Sequence, residues 1–155
     1  MKMDFGFLIE YVENLQAEKR QEITLYDGIN MRSMKNLEKD LGFVIPNELK
    51  SLYKISYGAI FDEFKILRIP EIDELIKEIK ITYQETYRNT IIPFAYLVGV
   101  GDFISLDSTV EKDGKLLILD CFHELPANEW SPICYGLDTW VKKIIDNDFQ
   151  PFWLK

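Results

Sequence analysis

The 155-residue chain has little of what enzymes and metalloproteins are built from: a single histidine and only two cysteines. Cys121 and His123 lie two apart, a pairing that invites a nucleophile-and-base reading. Residues two apart in an extended segment share a face without being aimed at one another, and no oxyanion-hole motif accompanies them. Two thiols and one imidazole also fall short of the four well-spaced ligands that zinc takes. Gly99-Val100-Gly101 lacks the third glycine of a dinucleotide-binding loop, and no basic residue follows where a phosphate loop needs one. Carboxylates are plentiful, yet no spacing pairs them for acid–base work. The chain is therefore read as non-enzymatic, with no metal and no cofactor.

Long hydrophobic runs are missing too. The longest, Ile91 to Val100, is broken by Pro93 and Gly99 and is far short of the roughly 20 residues that span a bilayer. Met1-Lys2-Met3-Asp4 lacks the apolar stretch of a signal peptide. A cytoplasmic location is expected, with Cys121 and Cys134 as two buried thiols rather than a disulfide. No Gly/Ser/Pro-rich linker divides the chain, so one domain is expected; at 47% hydrophobic it has material for a sizeable core. Basic residues are outnumbered, 18 Lys and Arg against 26 Asp and Glu, for a formal net charge of −8. That balance repels nucleic acid and anionic membrane, whose binding relies on Lys and Arg. It suits a basic protein partner, and it also serves plain solubility.

What is present is a helix-rich first half and a strand-rich second half around Leu97 to Asp107. Asp4 can cap a first helix bearing Leu8, Val12 and Leu15, with Glu18 to Glu22 as its charged end. Thr24 to Asn30 carries turn signals. Helices are expected at about Met31 to Leu41, closed by Gly42, and from Pro46 to about Gly58 with Leu49, Leu52 and Tyr53 inward. Phe64 to Ile69 alternates as a strand, and Pro70 then opens a helix with Ile72, Leu75, Ile76 and Ile79 on one face. Gly99 and Gly101 free the backbone before a short apolar strand, Phe103 to Leu106, closed by Asp107. Glu111-Lys112-Asp113-Gly114 reads as a hairpin turn and Leu116 to Leu119 as a central strand. Trp130, Ile133 and Tyr135 suggest a last strand. Leu137, Trp140, Val141, Ile144 and Ile145 form the inner face of a final helix, and the aromatic tail from Phe149 to Trp153 is expected to pack back on the body.

Three stretches together resemble the SUKH superfamily, the domain shared by a yeast regulator of cell-wall synthesis and many bacterial immunity proteins. The first runs from Asn36 to Lys50 and closes at Tyr57-Gly58: an acid, apolar residues, Gly42, apolar residues, Pro46, a helix, then a glycine. The second is Ile92-Pro93-Phe94-Ala95 leading to Gly101-Asp102-Phe103-Ile104-Ser105-Leu106-Asp107. The third is Asp113-Gly114-Lys115 with its strand and the helix around Trp140, where Gly136-Leu137 replaces the family's usual Ser-Phe. The resemblance covers about residues 30 to 147, leaving 1–29 as an N-terminal helix and linker and 148–155 as the tail. It implies a single α+β domain, with a mixed, mainly antiparallel sheet flanked by helices, and no catalysis. For bacterial members it implies cytoplasmic neutralisation of a cognate polymorphic toxin.

The expected partner is thus a basic toxin domain, with a nuclease as the expected kind, bound by a monomer or weak homodimer with no direct contact to nucleic acid or membrane. A nuclease presents Lys and Arg to phosphates, so a carboxylate-rich patch can occupy that site. The candidate interface is Asp102 and Asp107 around the pivotal strand, Glu111 and Asp113 on the hairpin, and Glu124 and Glu129 in the following loop, with Asp102 equally readable as a structural turn acid. Two rival functions stand beside it: a regulatory scaffold for intracellular proteins, and a sensor binding a small ligand beside Gly99 and Gly101.

Overall fold

The computed structural model describes residues 3–17, 23–42 and 44–154, with the side chains of 15–17 outside that description. Glu18 to Glu22, Phe43 and the Leu15 side chain therefore lie outside the described residues. Helix α1 (Gly6–Ala17) follows Asp4, whose Oδ1 accepts from the Gly6 N–H at 2.7 Å. Strand β1 (Ile23–Leu25) occupies part of the stretch expected to be turn. Helix α2 (Met31–Leu41) is capped by Asn30, whose side chain accepts from the Ser33 N–H, and ends on left-handed Gly42. Helix α3 (Asn47–Ile55) starts directly after Pro46. Strands β2 (Ala59–Phe61) and β3 (Phe64–Ile66) form a tight hairpin before α4 (Ile69–Thr82). Strands β4 (Ile91–Leu97), β5 (Phe103–Lys112), β6 (Lys115–Cys121) and β7 (Ser131–Tyr135) lead to α5 (Leu137–Asp146).

Among the described residues seven strands make one sheet in the order β1 to β7, and each of their six pairings is antiparallel. This is the single-domain α+β architecture expected, realised as a meander in which sequence neighbours are spatial neighbours. Such a sheet needs no crossover helix between its strands, so the helices are free to cover its faces.

Alternation along β5 and β6 explains the continuous apolar runs. Ile104, Leu106 and Ile118 point into the main core, with Leu49, Leu52 and Tyr53 of α3 and Leu137, Trp140, Val141 and Ile144 of α5. Phe103, Leu119 and Cys121 point the other way, into a second cluster with Ile79, Ala127 and Trp130. A strand buried on both faces reads as apolar throughout, because neither side of the pleat faces water. Trp140 anchors the main core, meeting Phe94 and Phe64 edge-on at 5.4 and 5.6 Å between ring centroids. The C-terminal tail packs back as expected. Phe149 is buried, and the Trp153 indole N–H donates to Asp120 Oδ2 at 2.9 Å.

Candidate protein-docking end of the sheet

In a meander, alternate connections fall at the same end of the sheet. One end collects the β2–β3 turn, the β4–β5 loop and the segment from Phe122 to Trp130 between β6 and β7. These three connections carry Asp62, Glu63, Asp102, Glu124 and Glu129, one histidine, and no Lys or Arg. Their backbones and side chains are tied together. The Val98 N–H donates to the Glu63 carbonyl at 3.0 Å, and the Leu97 N–H donates to the Asp102 carbonyl at 2.9 Å. Asp102 Oδ1 accepts from the His123 backbone N–H at 3.0 Å and stands 2.7 Å from its ring Nδ1. The Tyr83 hydroxyl, at the end of α4, donates to the His123 carbonyl at 2.6 Å. Neighbouring Glu124 is exposed, its carboxylate 4.0 Å from His123 Nε2.

Between the acids, Val98 and Val100 stand 58% and 48% exposed at the tip of the β4–β5 loop. The end thus joins an apolar tip to a carboxylate rim, the chemistry of a surface that docks a protein with basic groups around an apolar contact.

The six sequence-predicted acids do not form one patch. Asp102, Glu124 and Glu129 meet at this end. Glu111 and Asp113 lie at the other end of the β5–β6 ladder, about 20 Å away measured along β6, because β5 bulges between Asp107 and Glu111. They were expected nearby because the strand was expected to stop at Asp107; it continues to Lys112. There they alternate with Lys112 and Lys115, giving a mixed-charge hairpin. Asp107 is a correction. It is 1% exposed, its Oδ2 is 3.0 Å from Arg88 Nη2, and its Oδ1 accepts from both the N–H and the hydroxyl of Thr109. A carboxylate so enclosed holds the strand to the segment before β4 and is not offered to a partner.

Asp62 and Glu63 were missed. Ala59 to Ile66 reads as two short apolar runs separated by two residues, which is hairpin spacing, but Asp-Glu lacks the glycine that usually flags such a turn. Asp62 itself takes the positive φ of 55°. The Cys121 and His123 side chains diverge: Cys121 is fully buried, its Sγ 3.2 Å from Ser105 Oγ, and burial pushes its thiol well up. Both cysteines are free. Among the described residues no three of His, Cys, Asp and Glu gather as a metal-binding group, and no helix is long and apolar enough to cross a membrane. Gly99 faces open space, and a Cβ on Gly101 would stand 3.8 Å from His123 Nδ1.

The model of the SMI1 / KNR4 family (SUKH-1) matches residues 28–143. The chain belongs to this family. SUKH-1 membership supports an immunity or regulator-like domain, of a family that is generally non-enzymatic and generally binds toxin partners. The matched span opens just before α2 and closes within α5, so it takes in all three connections of the acidic end. No curated protein matches the chain.

Proposed function

We propose that this SUKH-1 domain is a cytoplasmic immunity protein that neutralises a basic toxin domain, of nuclease type, by docking it on the acidic end of the sheet. The observation that carries the reading is the charge and shape of that end: five carboxylates, no Lys or Arg, and two exposed valines on loops hydrogen-bonded to one another. A nuclease gathers Lys and Arg where phosphates bind, and carboxylates held in a fixed array compete for those cations. The valines supply the apolar contact that charge alone lacks. Opposed fields raise association from about 10⁵–10⁶ to as much as about 10⁸–10⁹ M⁻¹s⁻¹ at low salt, a useful property for a protein that must intercept a toxin before it acts.

The test is association with the toxin domain encoded beside the protein's own gene. Replacing Asp62, Glu63 and Glu124 together by lysine is expected to slow association at least about tenfold at low salt, to flatten its salt dependence and to abolish protection of cells. The same reversal at Glu111 and Asp113 is expected to leave protection intact. Full protection by the triple variant refutes the docking end, and the absence of any toxin that binds transfers the protein to the regulatory-scaffold class.

A further inference from the structure

A second feature lies away from the acidic end, where α2 and the exit of α3 meet β3 and the start of α4. A cleft of about 540 Å³ opens there, within the size range of small-molecule sites. Its apolar walls include Leu37, Ile66 and Pro70, and its charged groups are Lys65, Arg68 and Glu71. That arginine is held from four sides. Its Cζ lies 5.1 Å from the ring centroid of Tyr26 and 5.8 Å from that of Tyr57. Its Nε donates to the Tyr57 carbonyl at 3.1 Å. Its stem crosses Gly58, where a Cβ would stand 3.1 Å from Arg68 Cγ and 3.2 Å from Nε. Gly58 also has a φ of +81°, so a side chain there is excluded twice over. The Tyr57 ring is fixed in turn, its hydroxyl accepting from the Ile69 N–H at 3.2 Å.

All of this positions the guanidinium, yet it uses only one of its five N–H donors. Among the described residues neither Nη group has a hydrogen-bond or ion-pair partner. The neighbouring cation does not compete for a ligand, because Lys65 is committed to Glu71 at 2.5 Å. The cleft therefore carries one net positive charge on an open, preorganised fork, and the start of α4 adds the positive end of its dipole.

We propose that this cleft binds a small apolar monocarboxylate, its carboxylate on the Arg68 Nη groups and its apolar body against Leu37, Ile66 and Pro70. A guanidinium fork matches carboxylate and phosphate alike. Charge decides between them: a dianion overshoots the single positive charge and meets the Glu71 carboxylate beside it. The site is independent of the toxin-docking end and stands or falls separately from it.

The test follows the Arg68 Nε–Hε signal and the Gly58 and Ile69 amides of the isotope-labelled full chain by NMR. The probes are N-acetyl-leucine, N-acetyl-leucinamide and inorganic phosphate. N-acetyl-leucine is expected to shift these signals saturably, and the amide and phosphate at least about tenfold more weakly, the scale of one charge-assisted hydrogen bond. Arg68→Gln is expected to lose at least about tenfold in affinity for N-acetyl-leucine, read from the Gly58 and Ile69 amides of variant protein that thermal unfolding shows to be folded. Tyr26→Ala, which removes one flanking ring from an exposed position, is expected to weaken binding with Arg68 intact. No saturable shift into the millimolar range, equal binding of the amide, or equal binding of phosphate overturns the proposal.

Discussion

Glu48 joins three parts of the fold that are far apart in sequence, and its replacement gives a stability effect whose pH dependence has a defined sign. It sits in the first turn of α3 at 6% exposure. Its Oε2 accepts from the Leu116 N–H at 2.7 Å and its Oε1 from the Leu137 N–H at 2.8 Å, so it satisfies the start of β6 and the start of α5. A glutamine keeps one acceptor oxygen and turns an NH₂ toward the other backbone donor. The glutamine leaves one buried N–H unpaired, about 1–3 kcal/mol, offset by removal of a buried charge; Glu48→Ala orphans both donors and costs about 2–6 kcal/mol. Burial raises the Glu48 pKa above its ordinary 4.5; the Leu137 and Leu116 N–H groups pull it back without cancelling the rise. The folded state therefore holds this proton more tightly than the unfolded chain does. The contribution is present below the ordinary value and is lost as pH rises through the folded value. Glu48→Gln has no such loss, so the stability gap between wild type and variant is expected to narrow as pH rises from about 4.5 towards neutrality. Urea unfolding of both proteins across that range measures the gap directly, and other titrating groups cancel to first order in the difference. A gap that widens with pH refutes the reasoning, because it would mean that the two N–H donors outweigh burial.

Three further substitutions or treatments test other joints. A Cβ on Gly28 would stand 2.0 Å from the Lys54 carbonyl oxygen, which is backbone and cannot turn aside; Gly28→Ala is expected to lower stability by about 1–3 kcal/mol in thermal unfolding. Asp107→Ala removes the acceptor for Thr109 and the partner of Arg88, and a loss of about 1–3 kcal/mol is expected by urea unfolding, with toxin association in the folded fraction unchanged. Burial pushes the Cys121 thiol well up and the Cys134 thiol to about 11. Neither is a thiolate at neutral pH, so Ellman's reagent is expected to react slowly with native protein and promptly with both cysteines once urea unfolds it.

What could be read from the sequence was local or periodic. The α5 face of Leu137, Trp140, Val141, Ile144 and Ile145 is buried as its spacing requires. Asp113 and Gly114 take the positive φ values of 53° and 78° that a two-residue hairpin turn needs. Short strands without alternation were harder. Strand β1 is three residues long and pairs only with β2, so nothing in its own sequence separates it from turn. Strand β4 carries Pro93, which argues against a central strand; the register shifts between Pro93 and Ala95, and that irregularity is where the missing donor is absorbed. The acid assignments failed where they depended on distance through space. Asp107 and Asp102 look alike in sequence, each at a boundary of an apolar run. Only the length of β5 and the position of Arg88 place one inside the protein and the other at the rim.

The meander also separates the fold from the surface proposed for docking. The core depends on strand interiors and on joints such as Glu48, whereas the acidic end is built from connections that contribute few side chains to it. Val98, Val100, Glu124 and Glu129 are all exposed, so replacing them alters charge and shape at little cost to packing. Asp102 differs from them. Its side chain is partly buried and holds the His123 segment, so it fixes the geometry in which the exposed acids are displayed. Asp102→Asn should therefore weaken partner binding through loop placement, more than its single lost charge accounts for. Asn at this position retains an oxygen for the His123 N–H but pairs less strongly with the ring. Restoring the charge nearby, by Asn128→Asp in the Asp102→Asn background, separates the two effects. Recovery of the association rate would assign Asp102 to the electrostatic field, whereas a persistently fast dissociation would assign it to loop geometry.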